Sequence, residues 1–469
     1  MHMGSLVKNT TIYAIGDIAP RLLSFISFPI LTQYMSPSEY GIINYVNTVN
    51  TFLMIIGFLC LNTYYLVFYN KQNSLVEQKK LLGNLFIFVI GINVIGTFLL
   101  FLLGPYIMNM FGSSVSFYPY MAIGLVTNLF NILSVLPLAL FRMQEKPWPV
   151  TIINIFKGLL AFILTLVVVR YNYRAEGVLF VNMVISILFG FIFIYIVWQN
   201  MIPNVNWKQI KEALLFSLPL VPGSLSYFAV SMSDRVLIDK YLTLNDLGIY
   251  STASTIALIL NILSNGAYKA FEPYFFKIYG TTNFDVNFKK VHNGYLFVLI
   301  CGALGLSLFS KEFFEIFTST AYHQAYYYVP LILIGVICSS MSILYGTIIT
   351  AKGKTKINSL ISITGGIISI ILNIYLLPRL GVVGACVSSA VAMGTMLLMS
   401  IYNAKIDIEC GQLLFMSIIT IPIIYCLVYM VNFSFMVTIF VKILAYLSIV
   451  IMLMYKYNFI DNFKSLGSR

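Results

Sequence analysis

Four cations, Arg21, Lys157, Arg235 and Lys269, and three acids, Asp17, Asp234 and Glu272, lie inside long apolar runs. Such charges are costly: each adds ~2.5–3.5 kcal/mol or more in hydrocarbon, so each implies a partner or a task. Asp17 and Arg21 are four residues apart and share one helix face, which Ser24 continues. A guanidinium offers a planar fork of donors suited to phosphate or carboxylate oxygens, and an ammonium such as Lys157 offers a point charge. Asn154 stands three residues before Lys157, and Asn261 and Asn265 form a polar stripe with Lys269 and Glu272. These types bind anions and polyols by charge and hydrogen bonding. They make no nucleophile–base pair. The three histidines have no ligand spacing, and the six cysteines form no CxxC pair. No catalytic residue, cofactor or metal site is expected, nor is a nucleotide-binding motif present.

Two plainer roles stay open for these charges. Asp17 and Arg21 could serve only to fix their helix, and Arg235 and Lys269 lie near span ends, where long cations reach out to water. Asp234 and Glu272 could then simply balance their neighbours.

The elements that must position these groups are membrane spans. The 469-residue chain is 59% hydrophobic and 9% charged, and its mean hydropathy is +0.90. Soluble domains carry roughly 25% charged residues, so a soluble globular protein is excluded. Runs such as 85–103 and 360–377 are continuous and too long for alternating barrel strands. The expected fold is an all-α polytopic membrane protein with fourteen transmembrane helices. They fall near 9–33, 40–69, 82–108, 117–142, 148–170, 176–199, 211–237, 246–276, 289–310, 324–350, 356–377, 382–404, 412–431 and 434–456. Measured from Lys8, Arg21 lies about 20 Å along the first helix, near mid-membrane. Pro20 and Pro29 predict a kink or break on either side.

The net charge of +12 is a topology signal rather than a nucleic-acid one. Alternate loops collect the basic residues, among them Lys71, Lys79, Lys80, Lys352, Lys354 and Lys356. The opposite loops hold only Arg170, Arg174, Lys240, Lys311 and Arg379. The positive-inside rule puts the richer side, and both termini, in the cytoplasm. Attraction to anionic membrane lipids would follow.

The chain also repeats itself. YMSPSEYGI at 34–42 resembles YLTLNDLGI at 241–249, and Gly177 and Gly384 share the same 207-residue offset. The repeat lays helices 1–6 over helices 7–12. Six is even, so the two halves run in parallel and are related by an axis along the membrane normal. This divides the chain into 1–207, 208–410 and a two-helix appendix at 411–469.

Several motifs resemble a known family. The first helix pair (Asn9, Tyr13, Gly16, Arg21, Pro29, Thr32, Tyr40 and Gly41), the Ser233-Asp234-Arg235 run with Leu247-Gly248-Ile249-Tyr250, and Gly353-Lys354-Thr355 with Leu372-Asn373, Pro378-Arg379 and Gly384-Ala385 are similar to the polysaccharide transporter family. Its members are Wzx-type flippases of lipid-linked oligosaccharides, within the multidrug/oligosaccharidyl-lipid/polysaccharide exporter superfamily. The resemblance implies two six-helix halves around a central cavity, opened alternately to either side of a bacterial inner membrane. It implies a polyprenyl-diphosphate-linked oligosaccharide, of O-antigen or capsule type, as cargo. Arg21 would hold the diphosphate, Lys157 would add charge, and the Asn and Ser stripes would bond sugars. Asp234 with Arg235, and Lys269 with Glu272, would be gate pairs. Glycan-assembly proteins would be partners, and H⁺ or Na⁺ exchanged through Asp17 is one route of energy coupling. A lipid II flippase and a drug/cation antiporter share the fold, but the antiporter favours an acidic cavity and this set is slightly basic. A membrane glycan polymerase usually needs a large outer loop, and the outer loops here are short.

Overall fold

The computed structural model describes residues 3–280, 284–405 and 435–456. Among these residues the regular structure is helical throughout, and twelve helices are long and apolar enough to cross a membrane. They are α1 Met3–Tyr34, α2 Pro37–Phe58, α3 Leu75–Phe111, α4 Phe117–Met143, α5 Pro147–Arg170, α6 Arg174–Asn200, α7 Trp207–Tyr241, α8 Leu244–Ile278, α9 Phe284–Phe317, α10 Val329–Ala351, α11 Thr355–Leu380 and α12 Val382–Ala404. A further helix, α13, covers Phe435–Lys456. The protein is a multi-pass membrane protein. The span expected at 412–431 lies outside the described residues.

Three spans depart from the sequence reading for identifiable reasons. The first is α1, which continues through both Pro20 and Pro29 without a break. Close packing on α5 supports it there: Thr151 Oγ1 donates to the Ile12 carbonyl at 2.8 Å, and Gly158 lets Pro20 approach. The second is α2, which stops eleven residues short of the expected end. Leu59 and Cys60 both take left-handed backbone angles, φ 50° and 56°, and a two-turn helix Leu61–Phe68 follows. Non-glycine residues rarely adopt this conformation, so the break is strained. The Gly57 carbonyl freed near the helix end receives Asn93 Nδ2 at 2.9 Å. The third is α7, which carries a 3₁₀ turn at Leu218–Leu220, where Pro219 and Pro222 remove backbone donors.

The repeated block has one structural job in both copies. At the start of α2, the Ser36 backbone N–H donates to Glu39 Oε2 at 2.8 Å, and Glu39 N–H donates to Ser36 Oγ at 3.4 Å. At the start of α8, the Thr243 N–H donates to Asp246 Oδ2 at 3.2 Å, and Asp246 N–H donates to Thr243 Oγ1 at 3.1 Å. Each is a capping box that satisfies orphan donors at a helix N-terminus. The glycines that follow are reciprocal. A Cβ on Gly41 would collide with the Leu244 carbonyl oxygen, and one on Gly248 would collide with that of Pro37.

The helices group into two compact units. The first comprises the chain up to Phe228 together with Arg235–Gly248; the second comprises Ala229–Asp234 and the chain from Ile249. Within the first, α1 packs on α5, α4 packs on α6 and α5 packs on α6. The tip of the α7–α8 hairpin is pinned there too. Asp239, which is buried, accepts from Ser113 Oγ at 2.6 Å and from the Ser114 N–H at 3.2 Å. Within the second unit, α10 packs on α12 and α11 on α12. There α13 docks on α9 through an ion pair that the sequence reading did not single out. Lys442, 1% exposed, donates to Glu312 Oε1 at 2.7 Å and to the Leu308 carbonyl at 2.8 Å.

Two outcomes follow. Gly41→Ala or Gly248→Ala should destabilise the folded protein by ~1–3 kcal/mol through overpacking against backbone. Gly91→Ala, whose added methyl meets nothing within 4 Å, should not destabilise it. Thermal unfolding in detergent checks both. Lys442→Met alone should cost about 3–5 kcal/mol by leaving Glu312 buried and uncompensated, whereas Lys442→Met with Glu312→Leu should recover most of the loss; the same assay on the single and double variants decides.

Candidate substrate cavity

In the first unit α2, α4, α5 and α6 enclose a cavity of about 380 Å³. Each helix contributes residues three or four apart, as one face of a helix must. From α2 come Asn47, Asn50, Thr51 and Met54; from α4, Thr127, Asn128 and Asn131. Lys157 and Ala161 enter from α5, and Asn182, Ile185 and Ser186 from α6. The volume lies in the range of small-molecule sites. Five carboxamides, three hydroxyls and one ammonium line it, with no acidic side chain among the lining residues.

Asn131 organises the centre. Its Oδ1 accepts Lys157 Nζ at 2.8 Å and Ser186 Oγ at 3.0 Å. Immediately after it α4 turns 3₁₀ over Ile132–Ser134, and Ser134 Oγ donates to the Asn131 carbonyl at 2.6 Å. Such a turn inside a span resets the helix and aims the side chain before it. The lysine ammonium also stands 6.0 Å from the centroid of the Phe189 ring. Two hydroxyls donate into their own helices: Thr51 Oγ1 to the Asn47 carbonyl and Thr127 Oγ1 to the Ile123 carbonyl, each at 2.8 Å. Their lone pairs remain as acceptors. The Asn50 carbonyl oxygen is buried with no partner.

Of the residues read from sequence, Lys157 lines this cavity, as does Thr51 from the second span's polar set of Asn44, Thr48 and Thr51, and the others do not. Asn154 sits half-buried one turn earlier on α5. On α1, Asp17 is half-buried and Arg21 and Ser24 are exposed; Ser24 Oγ donates to the Pro20 carbonyl at 3.0 Å. In the second unit Asp234 is buried and accepts a hydrogen bond from the Tyr250 hydroxyl. Arg235, which the first unit holds, is half-buried. Asn265 Nδ2 donates to the Asn261 carbonyl at 2.8 Å, satisfying it within α8. Glu272 accepts from the Tyr268 hydroxyl at 3.2 Å, and Lys269 is exposed. The bonded polar cluster of α8 is instead at Ser264, which meets the Tyr295 hydroxyl and Ser340 Oγ, each at 2.7 Å.

The sequence reading missed Asn47, Asn50, Asn128, Asn131, Asn182 and Ser186. Their signal was present as polar residues recurring every three or four positions within apolar spans. Being uncharged, each alone looks unremarkable in a hydropathy profile.

Residues 6–279 match the family described as Polysaccharide biosynthesis protein. The Capsular polysaccharide biosynthesis protein CapF of Staphylococcus aureus is 20% identical over 411 residues, 85% of this chain and 99% of that protein. The fold is similar to that of the lipid II flippase MurJ in an inward closed conformation: TM-score 0.75 at 17% identity, over 95% of this chain and 99% of the other. It is also similar to an inward-facing multidrug resistance MATE family transporter of the MOP superfamily, with TM-score 0.59 at 9% identity, over 88% of this chain and 96% of the other. The family match spans more than half of the chain and carries the assignment, while the two solved structures speak for the fold. The chain belongs to the polysaccharide biosynthesis protein family.

Proposed function

We propose that this protein is a flippase that carries a polyprenyl-diphosphate-linked oligosaccharide from the cytoplasmic to the outer leaflet of a bacterial inner membrane. The observation that carries the reading is the cavity itself. Four apolar spans enclose amides, hydroxyls and one ammonium, the group types that replace water around a sugar. Without such replacement, moving a glycan head group through hydrocarbon costs several kcal/mol for each unpaired polar group. Shielding it lowers that barrier while the prenyl tail stays in lipid.

Alternating access of two six-helix repeats, with both termini cytoplasmic, supplies the motion. Support for the repeat comes from the paired capping boxes and from the reciprocal glycines at the same offset. Arg21 is exposed on α1, and its fork of donors fits diphosphate oxygens. Asp17 orients that face, Asn154 extends the polar face of α5 towards Lys157, and Asn261 and Asn265 give α8 a polar stripe of its own. Asp234 with Arg235, and Lys269 with Glu272, form gates whose charges change partners as the access side changes. A diphosphate with about two negative charges is driven outward by a potential negative inside, at ~2.3 kcal/mol per charge per 100 mV. Export of a cationic drug would call for an acid in the cavity, and none is among the lining residues.

Flipping in proteoliposomes tests the reading. With a labelled polyprenyl diphosphate oligosaccharide, wild type should expose label to the outer face. Arg21→Ala should slow exposure at least tenfold, and Arg21→Lys should recover only part of the rate. Clamping the potential to zero should slow wild type. Movement of a lipophilic cationic dye, with no movement of any lipid-linked glycan, would overturn the reading.

A further inference from the structure

Charge balance in the first unit's cavity is incomplete. Lys157 enters it with three ammonium donors, and one goes to Asn131 Oδ1. That oxygen already takes Ser186 Oγ as well, so its two lone pairs are used. No lining residue is acidic, and the remaining contact of the lysine is the distant face of Phe189. A cation at membrane depth normally finds a protein carboxylate or takes its counter-charge from a ligand. Here the lining leaves that place to the ligand.

We infer that the cargo carries an acidic sugar, and that its carboxylate docks on Lys157 while the surrounding asparagines hold the ring hydroxyls. This inference rests on the flippase reading. Two features favour a sugar carboxylate over the lipid diphosphate as the anion. One ammonium balances one negative charge, which a uronate supplies, whereas a diphosphate diester carries about two. The rest of the lining is amide and hydroxyl, which present donors and acceptors together, as a sugar ring does. Asn131 holds the ammonium in place without neutralising it. A carboxylate entering beside Asn131 uses the two remaining donors and leaves that bond intact.

The test compares two lipid diphosphates with one tail and one trisaccharide, differing only in glucuronate or glucose at the terminal position. Full-length protein in proteoliposomes should flip the acidic form at least tenfold faster. That ratio should fall to near one in Lys157→Gln and persist in Lys157→Arg, with both variants melting near wild type in detergent. A wild-type ratio near one would overturn the inference. So would a ratio that Lys157→Gln leaves unchanged while slowing both substrates, which would assign the lysine to the diphosphate. Should wild type flip neither lipid, the flippase reading fails, and calorimetry on purified protein with the two soluble trisaccharides decides this inference separately. At least tenfold tighter binding of the acidic trisaccharide, lost in Lys157→Gln, would support the site; equal affinities would overturn it.

Discussion

Hydrocarbon offers no hydrogen-bond partner, and every polar atom within the spans is arranged under that constraint. Most are satisfied locally. Asn44, Thr48, Thr51, Thr127 and Asn265 bond to carbonyls one turn back on their own helices. Such groups add little cost, and Thr51 and Thr127 keep lone pairs for the cavity that they line. The exceptions matter. Asn93 caps the broken end of α2, Asp239 gathers the Ser113–Ser114 loop, and Lys442 with Glu312 fastens α13 to α9. Each joins segments distant in sequence through one strong bond, where apolar contact between lipid-facing helices has no hydrophobic drive to exploit. The cavity of the first unit gathers such groups from four helices onto one lining.

The close approach of α2 and α8 is built the same way. Backbone carbonyls of Pro37 and Leu244 sit where side chains of Gly248 and Gly41 would otherwise lie. Small residues let helix backbones meet, so packing and backbone dipoles replace the hydrophobic effect as the source of cohesion. The two capping boxes just before these glycines fix where each helix begins. Cap and glycine therefore act together: the first sets the register of the helix start, and the second allows that start to touch its counterpart. This explains why the block of residues from Tyr34, rather than some other stretch, is the one still recognisable after an offset of 207.

Much of this architecture could be read from composition and periodicity. Long apolar runs separated by basic or proline-bearing loops place the first twelve spans, and a lone lysine in the fifth marks the cavity. What escaped the reading has a common cause. Leu59 and Cys60 carry no turn residue, so nothing in their types announces a left-handed break; tertiary packing imposes it. The asparagines of α2, α4 and α6 are ordinary one by one and become a site only when four helices bring them together. Lys442 stood in a span treated as an appendix, and its meaning depends on Glu312, which is 130 residues away. Arg21, conversely, was conspicuous in sequence because it is charged, yet it does not line the cavity. Charge is visible in one dimension, whereas convergence of neutral polar groups is visible only in three.

The chemistry of the cavity also suits a carrier better than a tight receptor. A transporter must release what it binds, so many weak contacts serve it better than a few strong ones. A neutral hydrogen bond contributes about 0.5–1.5 kcal/mol net, against about 1.5–3 kcal/mol when one partner is charged. Five amides and three hydroxyls can therefore desolvate a sugar fully while holding it loosely, and a single lysine adds one stronger, orientation-setting contact. A carboxylate in place of Asn131 would have locked that lysine in an ion pair and made a ligand anion compete for it. An amide leaves the ammonium positioned and still short of a counter-charge.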